Sequence, residues 1–129
     1  MQSRDRKLTR EENGMYYKNK THQRIFEELV NGNPCKCPNK YLAALYLLTA
    51  DRELWNATKY EIKRKTIDFS KIRPKEYTTY NYTVFVVAKD IYHGGTHITL
   101  KEICDRHLVP DNLFELFLTA IRICRSGRS

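Results

Sequence analysis

The segment "YLAALYLLTA", from Tyr41 to Ala50, constrains this chain more than any other part of it. Its Leu and Ala residues favour a helix over a strand. At about half the length needed to cross a bilayer, it is too short for a membrane span. A helix that is apolar on all sides is stable only when other elements surround it. The segment therefore predicts the central helix of a small bundle.

The sequence on either side of this block predicts two shorter helices. The first has Thr21 as its N-cap and ends at residues 31–34, where Asn and Gly suit a left-handed cap and Pro34 prevents the helix from continuing. Its inner face comprises Ile25, Phe26, Leu29 and Val30. The second follows Asp51, with Glu53 as a capping partner. Trp55, in this second helix, is expected to pack on the core.

The second half of the chain predicts three further helices. One starts near Pro74 and carries apolar residues at helical spacing from Tyr77 to about Tyr92. Thr99 and Glu102 form a capping box for the next. Its expected inner face is Leu100, Ile103, Cys104 and His107. Asp111 caps the last helix, whose expected inner face is Leu113, Leu116, Phe117, Ala120, Ile121 and Cys124.

The fold class is therefore predicted to be mostly α, a compact bundle of about five short helices. Alternation around residues 60–70 also fits one small β-hairpin, and a basic helix or loop is the alternative there. A length of 129 residues suits one domain. We expect a mobile charged arm over residues 1–20, a single helical domain over 21–125 and a tail over 126–129.

The net charge of +8 is concentrated in one segment. Residues 59–75 contain seven Lys and Arg residues against Glu61 and Asp68, a net charge of +5. The basic residues are Lys59, Lys63, Arg64, Lys65, Lys71, Arg73 and Lys75. Such a surplus favours an acidic protein surface, nucleic acid or an anionic membrane, and an ordinary solvated face is the alternative. Tyr60 and Phe69 interleave with these cations and could stack on bases.

The cysteines give the sharpest chemical hypothesis. The N-terminal region is charged and lacks an apolar signal segment, so we expect a cytoplasmic protein whose thiols are reduced or metal-bound. Two thiolates and two imidazoles would complete a tetrahedral zinc shell, and the candidates are Cys35, Cys37, His93 and His97. Alternating helix directions would place both loops at one end of the bundle, with Cys124 nearby. Four protein ligands would make this zinc structural.

The alternative is a chain that binds no metal. The "HGGTH" stretch, residues 93–97, also fits a helix C-cap with His93 at the negative end of the helix dipole. Cys104 and Cys124 stand at positions expected to face the core. The prediction for cofactors is therefore none, or one structural zinc.

Catalytic motifs are lacking in the sequence. Asp51 with Glu53, or Asp90 with His93, could act as acid–base pairs, but their spacing equally suits capping and surface ion pairs. There is no glycine-rich phosphate loop and no nucleophile elbow. We therefore expect a non-enzymatic protein.

Three stretches carry a family resemblance: "YLAALYLLTADRELW", "KDIYHGG" and "DNLFELFLTAIRI". Over residues 20–124 the chain resembles a family of small uncharacterised proteins of low-GC Gram-positive bacteria and their phages and mobile elements. The resemblance rests on core-type residues and implies a shared fold without assigning functional residues. It further implies an accessory protein of a mobile element, a class that often disables a host defence machine.

These observations lead to one principal hypothesis and one alternative. The principal hypothesis is a non-enzymatic interaction protein that binds and modulates a larger host partner, such as a nucleic-acid-guided defence nuclease in the manner of an anti-CRISPR protein. The alternative is a small basic regulator that binds nucleic acid through residues 59–75. No membrane partner is expected.

Overall fold

A computed structural model describes residues 15–32, 36–72 and 78–127. Within these ranges the chain forms six α-helices and no strand, which confirms the predicted mostly-α bundle. The helices are α1 (Lys20–Asn31), α2 (Asn39–Leu48), α3 (Arg52–Thr58), α4 (Thr79–His93), α5 (Leu100–Ile103) and α6 (Asp111–Ser126). Two short 3-10 turns, Lys59–Glu61 and Phe69–Lys71, lie between α3 and α4.

Helix α2 is the centre of the bundle. Every residue from Tyr41 to Ala50 is buried, and α2 packs mainly between α4 and α6. The Thr49 hydroxyl, a polar group within this run, donates to the Leu45 carbonyl at 2.8 Å. The prediction of a central helix is therefore confirmed.

The bundle begins earlier in the chain than predicted. Met15 and Tyr17 are buried in the core, and the Tyr46 hydroxyl donates to the Tyr16 carbonyl. The N-cap of α1 is Asn19, whose side chain accepts from the His22 amide at 2.8 Å, so the predicted cap at Thr21 was wrong. The rest of the predicted arm, residues 1–14, lies outside the described residues.

His22 is buried and held in one tautomer by its neighbours. Its Nδ1 accepts from the Lys18 amide at 3.0 Å, so Nε2 carries the proton and donates to the Tyr46 carbonyl at 2.8 Å. The ring also lies edge-on to Tyr17, at a centroid distance of 5.2 Å. Burial lowers the pKa of His22 to about 3, helped by the Lys18 charge and opposed by the bond to Tyr46.

Residues 51–72 depart from the predictions in two ways. The Asp51 side chain caps α3 by accepting from the Leu54 amide at 3.0 Å, as expected. Glu53, however, accepts from Asn81 Nδ2 at 3.1 Å and so ties α3 to α4. The suggested hairpin is reduced to a single antiparallel bridge between Ile62 and Ile67.

Helix α4 confirms the pattern of apolar residues but starts later than predicted. Thr78 is its N-cap, and residues 73–77, which include Pro74 and Tyr77, lie outside the described residues. Its C-cap is Gly94, with a left-handed φ of 73°. Gly32, by contrast, ends α1 with φ of −81°, so Gly32 does not adopt the left-handed conformation predicted for this cap.

The region from Thr99 to Pro110 differs most from its prediction. The capping box of Thr99 and Glu102 is present, but α5 ends after one turn. Turns then run through Asp105, whose carbonyl accepts from the Val109 amide at 2.8 Å. Because the helix stops, the predicted inner face does not form: Leu100 is 80% exposed, and Cys104 and His107 are exposed.

Most of the residues predicted for the inner face of α6 are buried where this helix packs against α2. Pro110, rather than Asp111, occupies the N-cap position. Ile121 is exposed, contrary to prediction, and Ile123 is buried in its place. Cys124 packs on the edge of the core. Across the described ranges, no helix is long and apolar enough to cross a membrane.

The burial of His22 predicts a specific pH dependence of stability. Its folded pKa of about 3 lies below the unfolded value of 6.5, so the unfolded chain takes up the proton first. Stability should therefore fall by about 1.4 kcal/mol per pH unit as the pH drops below about 6.5. His22→Gln should remove this contribution, which urea denaturation at pH 6 and pH 5 would measure.

His107→Gln is the matched control, since His107 is exposed. It should keep the wild-type difference between the two pH values. An equal pH dependence for wild type and His22→Gln would show that His22 does not carry the effect.

Candidate functional site

The basic segment contains a short loop, residues 62–67, which we call the basic loop. The bridge between Ile62 and Ile67 closes it, and the Lys63 amide donates to the Thr66 carbonyl at 2.8 Å. Ile67 is buried, whereas Lys63, Arg64 and Lys65 are exposed. The loop therefore presents three cations from a closed backbone.

Three hydrogen bonds from other parts of the bundle hold this backbone in place. They are Cys37 Sγ to the Arg64 carbonyl (3.4 Å), Tyr41 Oη to the Lys63 carbonyl (2.5 Å), and the Ile67 amide to Tyr92 Oη (3.2 Å). Burial raises the pKa of Tyr41 to about 12, with contributions from Cys37 and Tyr92. The Tyr41 hydroxyl therefore remains a donor at any physiological pH.

The remaining predicted cations differ in their surroundings. Lys71 is exposed and lies 3.8 Å from Asp68, while Lys59 lies over the Tyr60 ring at 5.4 Å from its centroid. The Ser70 hydrogen bond and the Lys71 charge lower the pKa of Asp68, so this carboxylate is charged at neutral pH. Arg73 and Lys75 lie outside the described residues.

Only one of the two predicted stacking rings is available to a ligand. Tyr60 is 76% exposed, but Phe69 is buried against the rings of Phe85, Tyr92 and His93. The prediction that Phe69 stacks on bases was therefore wrong. Phe69 instead anchors the end of the basic segment to the core.

Beside the basic loop lies a groove of about 540 Å³. It is lined by Leu29, Gly32, Tyr41, Trp55, Lys59, Ile62, Lys63 and Arg64. Its apolar side chains come from α1, α3 and the start of the basic loop, and its cations come from the basic segment. Leu29 and Trp55 were predicted as core residues, and no sequence signal placed them together at a surface.

The predicted acid–base pairs have structural partners. Asp51 caps α3 and lies 3.7 Å from Lys18 Nζ. Asp90 contacts His97, not His93: its carboxylate accepts from His97 Nδ1 and from the Ile98 amide, each at 2.7 Å. Asp90 is buried, so this carboxylate fastens the loop after α4 to the helix.

Gly95 makes this attachment possible. A Cβ atom on Gly95 would lie 2.7 Å from Asp90 Oδ1, closer than real contacts allow. The Gly95 amide also donates to the Asp90 backbone carbonyl at 2.9 Å. The "HGGTH" stretch is thus a C-cap followed by a loop that closes on Asp90.

The structure places Cys37, His93 and His97 at one end of the bundle but does not bring these three side chains together as a metal site. Lys40 Nζ lies 5.4 Å from the centre of the Tyr92 ring, so the loops before α2 and after α4 share an end. Within residues 15–32, 36–72 and 78–127, no three His, Cys, Asp or Glu side chains group to hold a metal ion. Cys35 is outside these ranges. The zinc site stays a prediction, which elemental analysis of the untagged protein would test.

The fold and this surface define a small helical bundle with a basic, partly apolar face. No family model matches the chain, and no curated protein or solved structure matches it either. The resemblance to a family of mobile-element proteins therefore stays a prediction.

The contact of Gly95 with Asp90 yields a mutational test. Gly95→Ala should push the loop off the carboxylate and destabilise the protein by about 1–3 kcal/mol, because overpacking forces backbone shifts. Thermal denaturation followed by circular dichroism should show a melting temperature several degrees lower.

Thr96→Ala is the control, since Thr96 is exposed in the same loop. It should change stability by less than about 0.5 kcal/mol. If Gly95→Ala has the same melting temperature as wild type, the loop is not closed on Asp90.

Proposed function

We propose that this protein is a non-enzymatic binding protein that docks an acidic, partly apolar segment of a larger protein. The observation that carries the proposal is the groove beside the basic loop. Leu29, Trp55 and Ile62 provide apolar contact, and Lys59, Lys63 and Arg64 surround it with positive charge. A segment that alternates acidic with apolar side chains matches both features.

The groove favours a protein partner over nucleic acid. Sequence-independent binding of single strands uses several exposed rings along a charged channel. In the described part of the basic segment, Tyr60 is the exposed ring, and Phe69 belongs to the core. Trp55, by contrast, lies in the groove among aliphatic side chains, and aromatic residues with neighbouring cations are typical of protein-binding sites.

The resemblance to accessory proteins of mobile elements suggests where such a partner should be sought. Host defence machines, including nucleic-acid-guided nucleases, are the candidates that the resemblance brings forward. The net charge of +8 is compatible with blocking a surface of the partner that carries acidic residues. Direct binding of nucleic acid through residues 59–75 remains the alternative function.

Trp55 provides a direct assay, since it is the only tryptophan in the chain and lines the groove. A short peptide that alternates Glu with Phe and Leu should change its fluorescence on titration. The double variant Lys63→Glu/Arg64→Glu should weaken binding by at least about tenfold, because two attractive charges become repulsive.

The control variant Lys20→Glu/Lys101→Glu carries the same change in net charge at exposed positions that do not line the groove. It should bind the peptide as wild type does. If both variants weaken peptide binding equally, the overall charge of the protein, rather than the charge at the groove, accounts for the effect. Stronger binding of oligo-dT, with a steep dependence on salt and loss in Tyr60→Ala, would contradict the proposal and favour nucleic acid.

A further inference from the structure

The outer face of α6 carries a line of apolar side chains. Phe114, Leu118 and Ile121 stand four and three residues apart, which places them on one face of the helix. Phe114 is 37% exposed, Ile121 is 42% exposed, and Leu118 is partly buried. The residues that pack on the core, including Leu116 and Ala120, lie on the opposite face. This outer line, the α6 stripe, faces away from α2.

Charge along the same helix is divided between its two halves. Asp111 and Glu115 lie before Leu118, and Arg122 and Arg125 lie after it. At 100° per residue, Glu115 and Arg122 fall on the same side of the stripe, about 20° apart around the axis. The stripe is thus flanked by an acidic half and a basic half.

We propose that the α6 stripe pairs with the stripe of a second copy of this chain, with the two helices antiparallel. A twofold axis near Leu118 brings Glu115 of each copy beside Arg122 of the other, at nearly the same height along the helices. Asp111, which lies 4.0 Å from Arg106 of its own chain, then also approaches Arg125 of the other copy. The antiparallel arrangement also makes the two helix dipoles antiparallel, so that the N-terminal end of each helix lies beside the C-terminal end of the other. Charge complementarity therefore selects a second copy in this orientation as the occupant.

The inferred dimer separates its two basic loops. The basic loop contacts Tyr41, near the start of α2, and Gly127, just after α6, lies beside Asn39 in the same region. The loop and the C-terminal end of α6 therefore share an end of the bundle. Because antiparallel copies point their α6 ends in opposite directions, the two grooves lie at opposite ends of the dimer. The length of α6, 16 residues or about 24 Å, sets the scale of that separation.

Sedimentation equilibrium of the full chain tests the dimer. A single helix pair is a small interface, so a dissociation constant on the order of 10 μM is expected. Ile121→Glu, at the exposed end of the stripe, should leave a monomer at all concentrations, while its circular-dichroism spectrum and its peptide binding at the groove remain as in wild type. Leu100→Glu, at another exposed apolar residue, should dimerise normally.

A charge exchange tests the orientation. Arg122→Glu should weaken the dimer by about tenfold, because it places like charges together at two symmetric positions. Adding Glu115→Arg to the same chain should restore the affinity, since both pairs are then reversed. A wild-type protein that is monomeric at about 500 μM, an Ile121→Glu dimer, or a double variant whose dimer is no tighter than that of Arg122→Glu would overturn the proposal.

Discussion

The burial of every residue from Tyr41 to Ala50, a run that includes most of α2, is the constraint on which the rest of the structure depends. A helix that exposes none of residues 41–50 must be covered on every side. Helices α4 and α6 cover most of it, and the segment around Tyr17 covers the remainder with α1. The two tyrosine hydroxyls of α2 reach past this cover, Tyr46 to the Tyr16 carbonyl and Tyr41 to the basic loop. The hydroxyl groups of these two tyrosines thus attach two irregular segments to an otherwise apolar helix.

The sequence was sufficient to predict the helices whose structure is decided by local patterns of residues. The apolar block of α2, the spacing of apolar residues in α4 and the capping box at Thr99 were all predicted correctly. The errors lie where contacts with distant residues decide it. Tyr17 lies in a charged stretch of sequence, and its ring contacts with Phe26 and Tyr46 explain its burial. The face of α5 failed because the chain turns at Asp105, a feature that helical periodicity does not register.

The candidate site was only half predictable for a related reason. Concentrated charge is visible along the chain, so Lys63 and Arg64 were named in advance. The groove was not, because its apolar walls come from α1, α3 and the basic loop, and Leu29 and Trp55 were assigned to the core separately. Alternation also could not tell which ring of the basic segment faces inward. Phe69 is held by its ring contacts to α4, a tertiary effect, whereas Tyr60 projects from a 3-10 turn.

The three hydrogen bonds that hold the basic loop affect how a partner would bind there. Since Cys37, Tyr41 and Tyr92 fix its backbone, a partner does not need to order the loop on arrival. The entropy lost on binding then falls mainly on the Lys and Arg side chains, which costs about 0.5–1.5 kcal/mol for each one immobilised. A surface of this kind suits rapid, charge-steered association between bodies that keep their shapes. Salt would act mainly on the rate of encounter, and the lifetime of the complex would be set by the fit in the groove.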